Sequence, residues 1–583
     1  MKVVIVGGVA GGATAAARIR RLDEQADIVV FERSGYISYA NCGLPYYIGG
    51  AITDPAALTL QTPESFFSRF RIAMNVHHEV TAIHPERKTV SVTNLETGEQ
   101  FEESYDKLLL SPGAKPTQPK VPGVGLSHVF TLRTVEDTFR IKEYIEEHHP
   151  RSAVLAGGGF IGLELAENLR ELGMDVTIVQ RPKQLMNPFD PDMAAFIHHE
   201  ARKHGIQLAL GHTVEGFEEV DGGVDVLLKD EPALHADMVV LAIGVTPDTA
   251  LAKEAGLDLG LKDSIVVNER METSAPGIYA VGDAVQVQHV VTGLDSLISL
   301  AGPANRQGRI AADNICGGDS RYRGSLGSSV IKVFDLTAAT TGINEATARK
   351  AGLEVDKVIL SPMNHAGYYP GGKSMVMKVV FEKDTNRLLG AQIVGYDGVD
   401  KRIDVLACAI HNGMLVTDLP ELDLAYAPPY SSAKDPVNMA GFMAENIEEG
   451  VLSQWYLEDL DSLPRDSSVT LLDVRTPAEY AGGHIDGFRN IPVNELRDRL
   501  DELEPGKPVY VICQSGLRSY IACRILAGHG FEPYNFAGGY RYYEAVTSDR
   551  ELIEAAAAGA GAAAGAALDE ASTPCGAKAQ GLQ

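Results

Sequence analysis

Two stretches of the chain share one pattern of apolar and polar positions. Each begins with a short apolar run, passes through a glycine-rich turn into a segment rich in alanine or leucine, and ends on a second apolar run. The first is KVVIVGGVAGGATAAARIRR followed by DIVVFER, and the second is SAVLAGGGFIGLELAENLRELGMDVTIVQRP. The pattern predicts a buried strand, a tight turn, a helix and a second strand. The chain therefore contains two strand-helix-strand units.

The first unit carries the residues of a dinucleotide-binding turn. Gly7 and Gly12 hold the first and last glycine positions of the G-x-G-x-x-G pattern, whereas Val9 stands at the middle position. Glu32 ends the second strand about 20 residues further on, where a carboxylate binds a ribose hydroxyl while helix amides bind the pyrophosphate. A glycine turn that serves packing alone is the alternative, and the position of Glu32 favours a nucleotide.

The second unit completes the same pattern with Gly157, Gly159 and Gly162. Its second strand ends at Gln180 and Arg181, so the usual ribose-binding carboxylate is missing. An arginine at this place can pair with a 2′-phosphate. A solvated arginine in a loop is the equally weighted alternative.

The composition describes an ordinary globular protein of several domains. The 583 residues predict about three to five domains at about 100–200 residues each. A net charge of −27, from 51 basic and 78 acidic residues, disfavours nucleic acid or an anionic membrane as a partner. No run of about 18 apolar residues is present to span a bilayer, and the N-terminus runs directly into a strand without a signal-peptide pattern.

The cysteines form neither a disulfide framework nor a Cys-x-x-Cys zinc pattern. We therefore predict a cytoplasmic protein with reduced thiols and no metal site. The six residues are Cys42, Cys316, Cys408, Cys513, Cys523 and Cys575.

Two of these thiols lie in loops that predict chemistry. Cys42 follows a strand-like run in SYANCGLPYYIGG, and Cys513 follows the apolar run in KPVYVICQSGLRSYIACRILAGHGF. A single cysteine is more often a small buried apolar residue than a nucleophile. The nucleotide units on either side of Cys42 favour redox sulfur chemistry there. Loop amides followed by a helix N-terminus form an anion-binding nest that favours a thiolate or persulfide at Cys513.

Two nucleotide units in one chain, with Asp283 later in TSAPGIYAVGDA, resemble the FAD-dependent pyridine nucleotide-disulfide reductase family over residues 1–447. In that family the first unit binds FAD, the second binds NAD(P)H, and the residue at Asp283 contacts the flavin ribityl chain. The stretches LLLSPGAKP and VVLAIGVTPD are similar to the family's crossovers between domains. The resemblance also implies an interface domain and a homodimer.

The resemblance implies two sets of cofactor-binding residues. Those expected at FAD are Gly7, Gly8, Ala10, Gly11, Gly12, Glu32, Arg33, Gly282 and Asp283. Those expected at NAD(P)H are Gly157, Gly159, Gly162, Gln180, Arg181 and Gly244.

The surroundings of Cys42 indicate a branch of the family. Dithiol members carry Cys-x-x-x-x-Cys, but Tyr47 stands five positions after Cys42. The stretch SYANCGLPY closely resembles the coenzyme A-disulfide reductase branch, whose cysteine forms a mixed disulfide with coenzyme A. Branch members that reduce peroxide or oxygen through a sulfenic acid have a histidine where this chain has Ala10, which counts against a peroxidase.

Substrate residues carry over from this branch by position. Thr14, Arg18 and Arg21 share one helix face by their spacing, and that face meets the coenzyme A phosphates in the branch; a solvated basic face is the alternative. The other substrate matches are Ser38, Asn41, Asn305, Arg306 and Lys434. Tyr368 and Tyr426 match catalytic residues of the branch, which the partner subunit contributes together with Lys434. The tyrosines have the alternative of serving as core residues.

The chain after residue 447 resembles a rhodanese domain. The matching residues are Asp473 and Arg475 in LDVR, His484 and Ile485 in GHI, and the six-residue loop CQSGLR from Cys513 to Arg518. A phosphatase of related fold has a loop one residue longer, with Cys-x5-Arg. Cys513 and Arg518 are the expected catalytic residues, and Cys523 in the following helix is expected to be structural.

These patterns together predict an α/β protein of four folded domains. They are two Rossmann-like domains for FAD (1–112 and 248–325) and NAD(P)H (113–247), an α+β dimerisation domain (326–447) and an α/β rhodanese domain (467–553). Residues 448–466 are predicted to be a linker, and 554–583 an alanine- and glycine-rich tail.

The expected activity is reduction of coenzyme A disulfide, coenzyme A persulfide or polysulfide by NAD(P)H through FAD and Cys42, with a rhodanese that handles sulfane sulfur. The runner-up is an NADH oxidase or peroxidase that uses a Cys42 sulfenic acid. A third hypothesis makes the rhodanese segment a docking or sulfur-carrying unit, with a sulfur-donor protein as partner. Attack by Cys42 requires a lowered pKa, for which the flavin, a helix terminus and the arginine cluster are the candidate causes.

Overall fold

The structure is a computed structural model that describes residues 1–557. Its helices are α1 (Ala10–Leu22), α2 (Leu44–Ile48), α3 (Pro63–Phe70), α4 (Val135–His148), α5 (Phe160–Glu171), α6 (Pro191–Lys203), α7 (Ala250–Glu254), α8 (Ala301–Ile315), α9 (Glu345–Lys350), α10 (Val399–His411), α11 (Pro436–Glu448), α12 (Pro477–Ala481), α13 (Leu517–Gly528) and α14 (Gly539–Ala557).

The strands follow in chain order. They are β1 (Lys2–Val6), β2 (Asp27–Phe31), β3 (Ala73–Asn75), β4 (His78–His84), β5 (Thr89–Asn94), β6 (Gln100–Ser104), β7 (Lys107–Leu110), β8 (Ala114–Pro116), β9 (Val129–Thr131), β10 (Ser152–Ala156), β11 (Asp175–Gln180), β12 (Gln207–Leu210), β13 (Val214–Val220), β14 (Gly223–Leu228), β15 (Leu234–Ala236), β16 (Met238–Leu241), β17 (Val245–Pro247), β18 (Ile278–Ala280), β19 (Val287–Gln288), β20 (Asp295–Ser296), β21 (Ser329–Val333), β22 (Leu336–Gly342), β23 (Val355–Leu360), β24 (Met375–Glu382), β25 (Leu388–Gly395), β26 (Gln454–Trp455), β27 (Thr470–Asp473), β28 (Arg489–Asn490), β29 (Pro508–Ile512) and β30 (Glu532–Phe536).

The chain divides into two structural units. Unit 1 comprises residues 1–182 and 205–327, and unit 2 comprises residues 183–204 and 328 onward. Unit 2 therefore includes α6, which lies within the segment that the sequence assigned to NAD(P)H binding. The domain boundaries given above stay a prediction.

Unit 1 contains two five-stranded sheets of the same design. The first has the order β18-β7-β1-β2-β3, and the second has the order β12-β11-β10-β16-β9. All pairs in both sheets are parallel. The strands β1 and β10 are apolar along almost their whole length and buried, as parallel strands covered on both faces must be. The prediction of two Rossmann-like domains is confirmed.

Unit 2 contains an antiparallel and a parallel sheet. The antiparallel sheet has the order β21-β22-β25-β24-β23, with α10 packed on β22 and β25. The parallel sheet has the order β26-β30-β29-β27-β28, with β29 leading through a loop into α13. The antiparallel sheet has the α+β architecture predicted for the dimerisation domain, and the parallel sheet has the α/β architecture predicted for the rhodanese domain.

The segment 448–466 is folded, although the sequence predicted a linker. Gln454 and Trp455 form β26 at the edge of the rhodanese sheet. Trp455 is buried, lies 4.4 Å from the ring of Phe536 and donates its indole N–H to the carbonyl of Val511 at 3.3 Å. Burial of so large a ring holds the segment against the domain. The predicted tail also begins inside α14, and its residues from 558 onward, with Cys575, lie outside the described residues.

Buried charges join the parts of unit 2. The ammonium of Lys378 on β24 lies 3.0 Å from Asp190 and 2.8 Å from Asp192, and it also pairs with Glu345. Asp192 accepts a further hydrogen bond of 2.6 Å from the hydroxyl of Tyr542 on α14. Burial alone would lower the pKa of Lys378, but the three carboxylates raise it, so the cluster stays ionised. The cluster thereby links α6, the antiparallel sheet and the rhodanese segment.

A second buried contact fixes α14 on α6. His198 accepts a hydrogen bond of 2.9 Å at Nε2 from the amide of Leu185, so its proton lies on Nδ1, 2.7 Å from Asp549. Burial lowers the pKa of His198, in agreement with a neutral ring. Arg202 supplies the positive charge that Asp549 needs, at 2.5 Å. The rhodanese segment is therefore held to α6 by a charge pair and an oriented histidine.

Among residues 1–557 no helix combines the length and the apolar character that crossing a bilayer requires.

Loss of the Asp549 charge is expected to loosen α14. Asp549→Asn leaves Arg202 without its counterion, and because the Arg202 side chain is partly exposed the cost stays below the about 3–5 kcal/mol of a fully buried pair. Amide hydrogen exchange should show faster exchange in both α14 and α6, because local opening then costs less free energy. The exposed Glu551 on the same helix gives the control, Glu551→Gln. Unchanged protection in Asp549→Asn would show that the pair does not hold the helix.

Candidate functional site

Both glycine turns are shaped by close approach of backbone to backbone. Gly7 has a φ of +96°, and a Cβ there would stand 2.1 Å from the carbonyl oxygen of Ser111. A Cβ on Gly12 would stand 1.9 Å from the oxygen of Gly7. The same relation recurs in the second turn, where a Cβ on Gly162 would stand 2.0 Å from the oxygen of Gly157. Only glycine lets α1 and α5 begin so close to the preceding strands.

Glu32 is fixed over the first turn. Its carboxylate accepts hydrogen bonds from the amides of Gly8 at 2.8 Å and Ser34 at 2.9 Å. Burial raises the pKa of Glu32, against the opposing effect of these two amides. Ala10 begins α1, and Arg33, next to Glu32, pairs with Asp248 at 2.8 Å. The turn, the buried acid and the helix start fit the adenosine end of FAD.

Gln180 takes the corresponding place in the second turn. Its side-chain oxygen accepts from the amide of Gly158 at 3.0 Å, as Glu32 accepts from Gly8. Arg181 is exposed, and a Cβ on Gly159 would meet no atom within 4 Å, so this side of the turn is open. Gly244 has a φ of +103°, and its carbonyl accepts from the amide of Thr117 at 2.9 Å where the chain crosses back. The turn fits a dinucleotide, and at Gln180 it has no carboxylate that would repel a 2′-phosphate.

The end of β18 forms a polar corner within unit 1. The amide of Gly282 donates to Gln307 at 2.7 Å, and Asp283 accepts from the guanidinium of Arg133 at 2.7 Å. A Cβ on Gly11 would lie 2.8 Å from the side chain of Val281, so α1 runs close to this strand. Asp283 therefore stands at the carboxyl end of the same sheet that carries the first glycine turn, where a ligand of an open α/β sheet binds.

Cys42 is exposed and lies in the turn before α2. With its side-chain amide oriented so that nitrogen and oxygen both find partners, Asn41 pairs with Arg133: the amide nitrogen donates to the backbone oxygen at 2.9 Å, and the oxygen accepts from the guanidinium at 3.3 Å. Ser38 has a φ of +45°, and its amide donates to the oxygen of Gly8 at 2.9 Å. Arg133 thus joins Asn41 to Asp283, and the structure brings these two predicted residues together through one that the sequence analysis missed.

The protein raises the pKa of Cys42. Partial removal from water is the largest cause, the negative charges of Glu164 and Asp283 act in the same direction, and Arg133 opposes them. Neither Arg18 nor Arg21 acts on this thiol in the structure. The positive charge that lowers the pKa of Cys42 is that of Arg133, and not that of the arginine cluster expected from the sequence.

Glu164 is the second residue that the sequence analysis missed. It lies on α5, two positions after Gly162, and α5 packs against α2. Burial, then the neighbouring charge of Glu167, raises the pKa of Glu164 to about 7. Burial and Glu164 also raise the pKa of Tyr46 to about 12. The available signal for Glu164 was its position two residues after the last glycine of the turn. No pattern in the sequence, however, indicates that α5 packs near the Cys42 loop.

The predicted substrate face of α1 lies against α8. The hydroxyl of Thr14 donates to Asn305, and Arg18 pairs with Asp313 at 2.7 Å. Arg306 lies over the ring of Tyr322, with 5.6 Å to its centroid, whereas Arg21 is exposed. The structure therefore brings Thr14 and Asn305 together, and Arg18 is not simply a solvated side chain.

The tyrosines expected from the partner subunit are on the surface of unit 2. The hydroxyls of Tyr368 and Tyr426 are 2.8 Å apart, and the residues are 75% and 46% exposed. Lys434 is also exposed. These tyrosines are not core residues, which was the alternative explanation.

The rhodanese loop surrounds a buried thiol with neutral donors. Sγ of Cys513 accepts from the amide of Gly516 at 3.1 Å and from the hydroxyl of Ser519 at 3.2 Å. Gly516 has a φ of +97°, which turns its amide toward the sulfur before α13 begins. Behind the loop, the amide of Tyr540 donates to the carbonyl of Cys513 at 2.7 Å. Both donors suit an anionic sulfur. Cys523 lies in the apolar core of the same domain.

Two arginines flank the loop, each with its own acid. Arg475 is buried, pairs with Asp473 at 2.7 Å and stacks on the ring of Tyr540 at 3.8 Å, so the LDVR motif supports the loop. Arg518 forms two hydrogen bonds with Glu479, at 2.7 and 2.8 Å. Glu479 was not singled out in the sequence.

One set of potential metal ligands lies close together within the described residues. Atoms of Glu200, His204 and Asp335 in unit 2 fall within 4.8 Å of one another. Glu200 already accepts from Lys203 at 3.1 Å and from Tyr396 at 3.1 Å.

Family models match three consecutive parts of the chain. Residues 1–308 match the pyridine nucleotide-disulphide oxidoreductase family, 328–436 match the dimerisation domain of that family, and 456–545 match the rhodanese-like domain.

Known relatives match this chain over most of its length. The coenzyme A disulfide reductase of Staphylococcus aureus (strain JH9) is 38% identical over 76% of this chain and 100% of its own length. The structure of reduced Bacillus anthracis CoADR-RHD has a TM-score of 0.91 at 48% identity and covers 94% of this chain and 98% of its own. The NAD-dependent persulfide reductase from A. fulgidus has a TM-score of 0.88 at 38% identity, covering 93% and 100%. This chain belongs to the pyridine nucleotide-disulphide oxidoreductase family, whose members depend on FAD and NAD(P)H, and it carries a rhodanese-like domain in addition.

Proposed function

We propose that this oxidoreductase uses NAD(P)H to reduce coenzyme A disulfide, coenzyme A persulfide or polysulfide at Cys42. The observation that carries the proposal is a solvent-exposed Cys42 joined through Asn41 and Arg133 to Asp283 at the end of the first sheet. Tyr47 stands where a second redox cysteine would follow. Relatives that match this chain along most of its length are a coenzyme A disulfide reductase and a persulfide reductase.

The reaction follows from one thiol that attacks a disulfide. The Cys42 thiolate forms a bond to one sulfur of the substrate, the substrate S–S bond breaks, and a thiolate leaves. The first glycine turn, Glu32 and Asp283 would hold FAD. Once reduced by NAD(P)H, FAD would supply the two electrons that break the bond between Cys42 and the remaining half of the substrate, so that both leave this bond as thiolates. Because partial removal from water, and then Glu164 and Asp283, disfavour a negative charge on Cys42, the chain's own residues hold the resting thiol protonated. Arg133 is the cation positioned to favour the thiolate.

Residues around this site are proposed to bind the coenzyme A portion. Thr14 and Asn305 stand together on α1 and α8, with Arg18, Arg21 and Arg306 as the basic residues of the same two helices. In a homodimer the exposed Tyr368–Tyr426 pair and Lys434 would complete the partner's site. Exposure of two hydrogen-bonded tyrosines supports this role, since tyrosines are enriched at interfaces where one end meets a polar group.

The rhodanese-like domain is proposed to receive sulfane sulfur on Cys513 and to pass it to coenzyme A, with a polysulfide or a sulfur-donor protein as the source. The neutral donors at Sγ support an anionic sulfur there. A reducing cytoplasm is the proposed setting, and the five cysteines of residues 1–557 are free.

Cys42→Ser and Cys513→Ser are expected to separate the two activities. Cys42→Ser should keep flavin reduction by NAD(P)H but lose reduction of coenzyme A disulfide, because no nucleophile remains to open the disulfide. Cys513→Ser should keep that activity in full. NAD(P)H consumption in anaerobic assays measures both. Full disulfide turnover in Cys42→Ser would refute the assignment. In separate assays of the wild type with oxygen or peroxide, NADH oxidation that exceeds disulfide reduction would support the oxidase instead.

Glu164→Gln is expected to lower the pKa of Cys42, by about one unit at most. Because the pKa of Glu164 is about 7, its charge opposes the thiolate mainly above that pH, so the difference should be larger at pH 8 than at pH 6. The rate of iodoacetamide alkylation of the Cys42 peptide, followed by mass spectrometry across pH, gives the value. Glu171→Gln, at an exposed position on the same helix, is the control. Identical profiles in wild type and Glu164→Gln would exclude this coupling.

NADPH is expected to be accepted at least comparably to NADH. Gln180 is neutral where a carboxylate would repel a 2′-phosphate, and Arg181 follows it. Arg181→Ala should raise the KM for NADPH about tenfold, with the KM for NADH changed less than about twofold. Steady-state kinetics with both nucleotides and one saturating acceptor decide the point. Strong NADH preference that Arg181→Ala leaves unchanged would show that Arg181 does not contact the phosphate.

A further inference from the structure

The Cys513 loop offers little uncompensated positive charge. Arg518, which ends the loop, is held by two hydrogen bonds to Glu479 at 2.7 and 2.8 Å. Arg475 is buried against Asp473. Arg541, whose amide contacts the loop, directs its guanidinium to the hydroxyl of Ser374. Within the described residues, the two arginines that flank the loop are thus matched by two carboxylates.

Glu479 is fixed in this place and keeps its charge. Its carboxylate also accepts from the amide and the hydroxyl of Thr476, both at 2.8 Å. The contact with Arg518 is the largest cause that lowers the pKa of Glu479, to about 2. The acid is therefore ionised over the whole range of ordinary assays, and it neutralises Arg518 at every such pH.

The donors at the sulfur suit one negative charge. Gly516 and Ser519 give Cys513 two hydrogen bonds, which stabilise a thiolate or a persulfide. Thiosulfate would bring two negative charges to the same loop, where Arg475 and Arg518 are each paired with an acid and Arg541 is directed to Ser374. On the exposed side of α13, Leu517 and Ile521 stand four residues apart, 66% and 41% exposed, and so share one helix face next to the loop. An organic group can pack there.

We propose that Glu479 sets the donor specificity of this domain, so that Cys513 takes sulfane sulfur from organic persulfides in preference to thiosulfate. The inference rests on the proposed sulfur-transfer function and names its substrate class. In the step, the Cys513 thiolate bonds to the terminal sulfur of RSSH, the RS–SH bond breaks, RS− leaves, and Cys513 carries the persulfide. With thiosulfate the same attack would release sulfite, and the site lacks the charge to hold that dianionic donor.

Sulfur loading of Cys513 in the full-length holoenzyme tests the proposal. The Cys42→Ser background prevents transfer at Cys42, and peptide mass spectrometry follows the gain of one sulfur atom on Cys513. The donors are thiosulfate and the persulfide of N-acetylcysteamine, whose organic part is uncharged. We expect the organic persulfide to load faster by about tenfold or more. Glu479→Gln should raise the thiosulfate rate about tenfold and change the organic rate less than about twofold. High salt should reduce that gain.

Matched variants separate charge from folding. Glu479→Asp keeps the carboxylate and should leave the ratio of the two rates within about twofold. Glu502→Gln removes an acid from another glutamate-arginine pair of the domain and should change neither rate. If Glu479→Gln does not fold, Glu479→Ala serves instead, because it also removes the carboxylate that neutralises Arg518 and should raise the thiosulfate rate in the same direction.

Two results would overturn the proposal: faster loading from thiosulfate than from the organic persulfide, or a ratio that Glu479→Gln leaves unchanged. The proposed reductase function is tested separately, by the NAD(P)H-dependent reduction of coenzyme A disulfide in Cys513→Ser. Loss of that activity would contradict the reductase proposal alone. Loading of Cys513 requires neither Cys42 nor NAD(P)H, so each hypothesis can fail alone.

Discussion

The closeness of two backbones at the glycine turns determines how the rest of unit 1 is built. Because a Cβ on Gly12 would stand 1.9 Å from the oxygen of Gly7, α1 begins directly at the end of β1, and the first amides of the helix remain free for a ligand. The second turn repeats the relation at Gly157 and Gly162. Every other contact of the reductase site, from Glu32 to Asp283, is arranged around strands and helices that these turns hold in place.

The sequence predicted the glycine turns and the rhodanese loop because each of these features depends on residues that are neighbours in the chain. Strand, turn, helix and terminal acid all fall within one unit, as do the six residues of the rhodanese loop. The residues that the sequence did not predict act across units of this kind. Arg133 reaches Asn41 and Asp283, which lie 92 and 150 positions away from it in the chain, and Glu164 influences Cys42 only because α5 packs on α2.

The linker was the other point at which sequence patterns misled. Residues 448–466 are rich in Leu, Asp and Glu, but Trp455 fills a place among Phe488, Tyr510 and Phe536 in the rhodanese core. One large ring outweighs the polar composition of the residues around it. The partners of the polar side chains on α6 are equally distant in sequence. Asp192 pairs with Lys378 and His198 pairs with Asp549, both more than 180 positions later in the chain.

The two thiols differ in what each requires from outside the chain. Cys513 is buried among hydrogen-bond donors that its own loop supplies, so its anionic forms are stabilised by the protein alone. At Cys42, partial removal from water and then the charges of Glu164 and Asp283 raise the pKa, and Arg133 alone opposes them, so the protein alone favours the protonated thiol. A thiol of the second kind is protected from accidental oxidation, since the thiolate is the reactive form. Its activation must then depend on the bound cofactor or on substrate, which couples reactivity at Cys42 to the presence of its reaction partners.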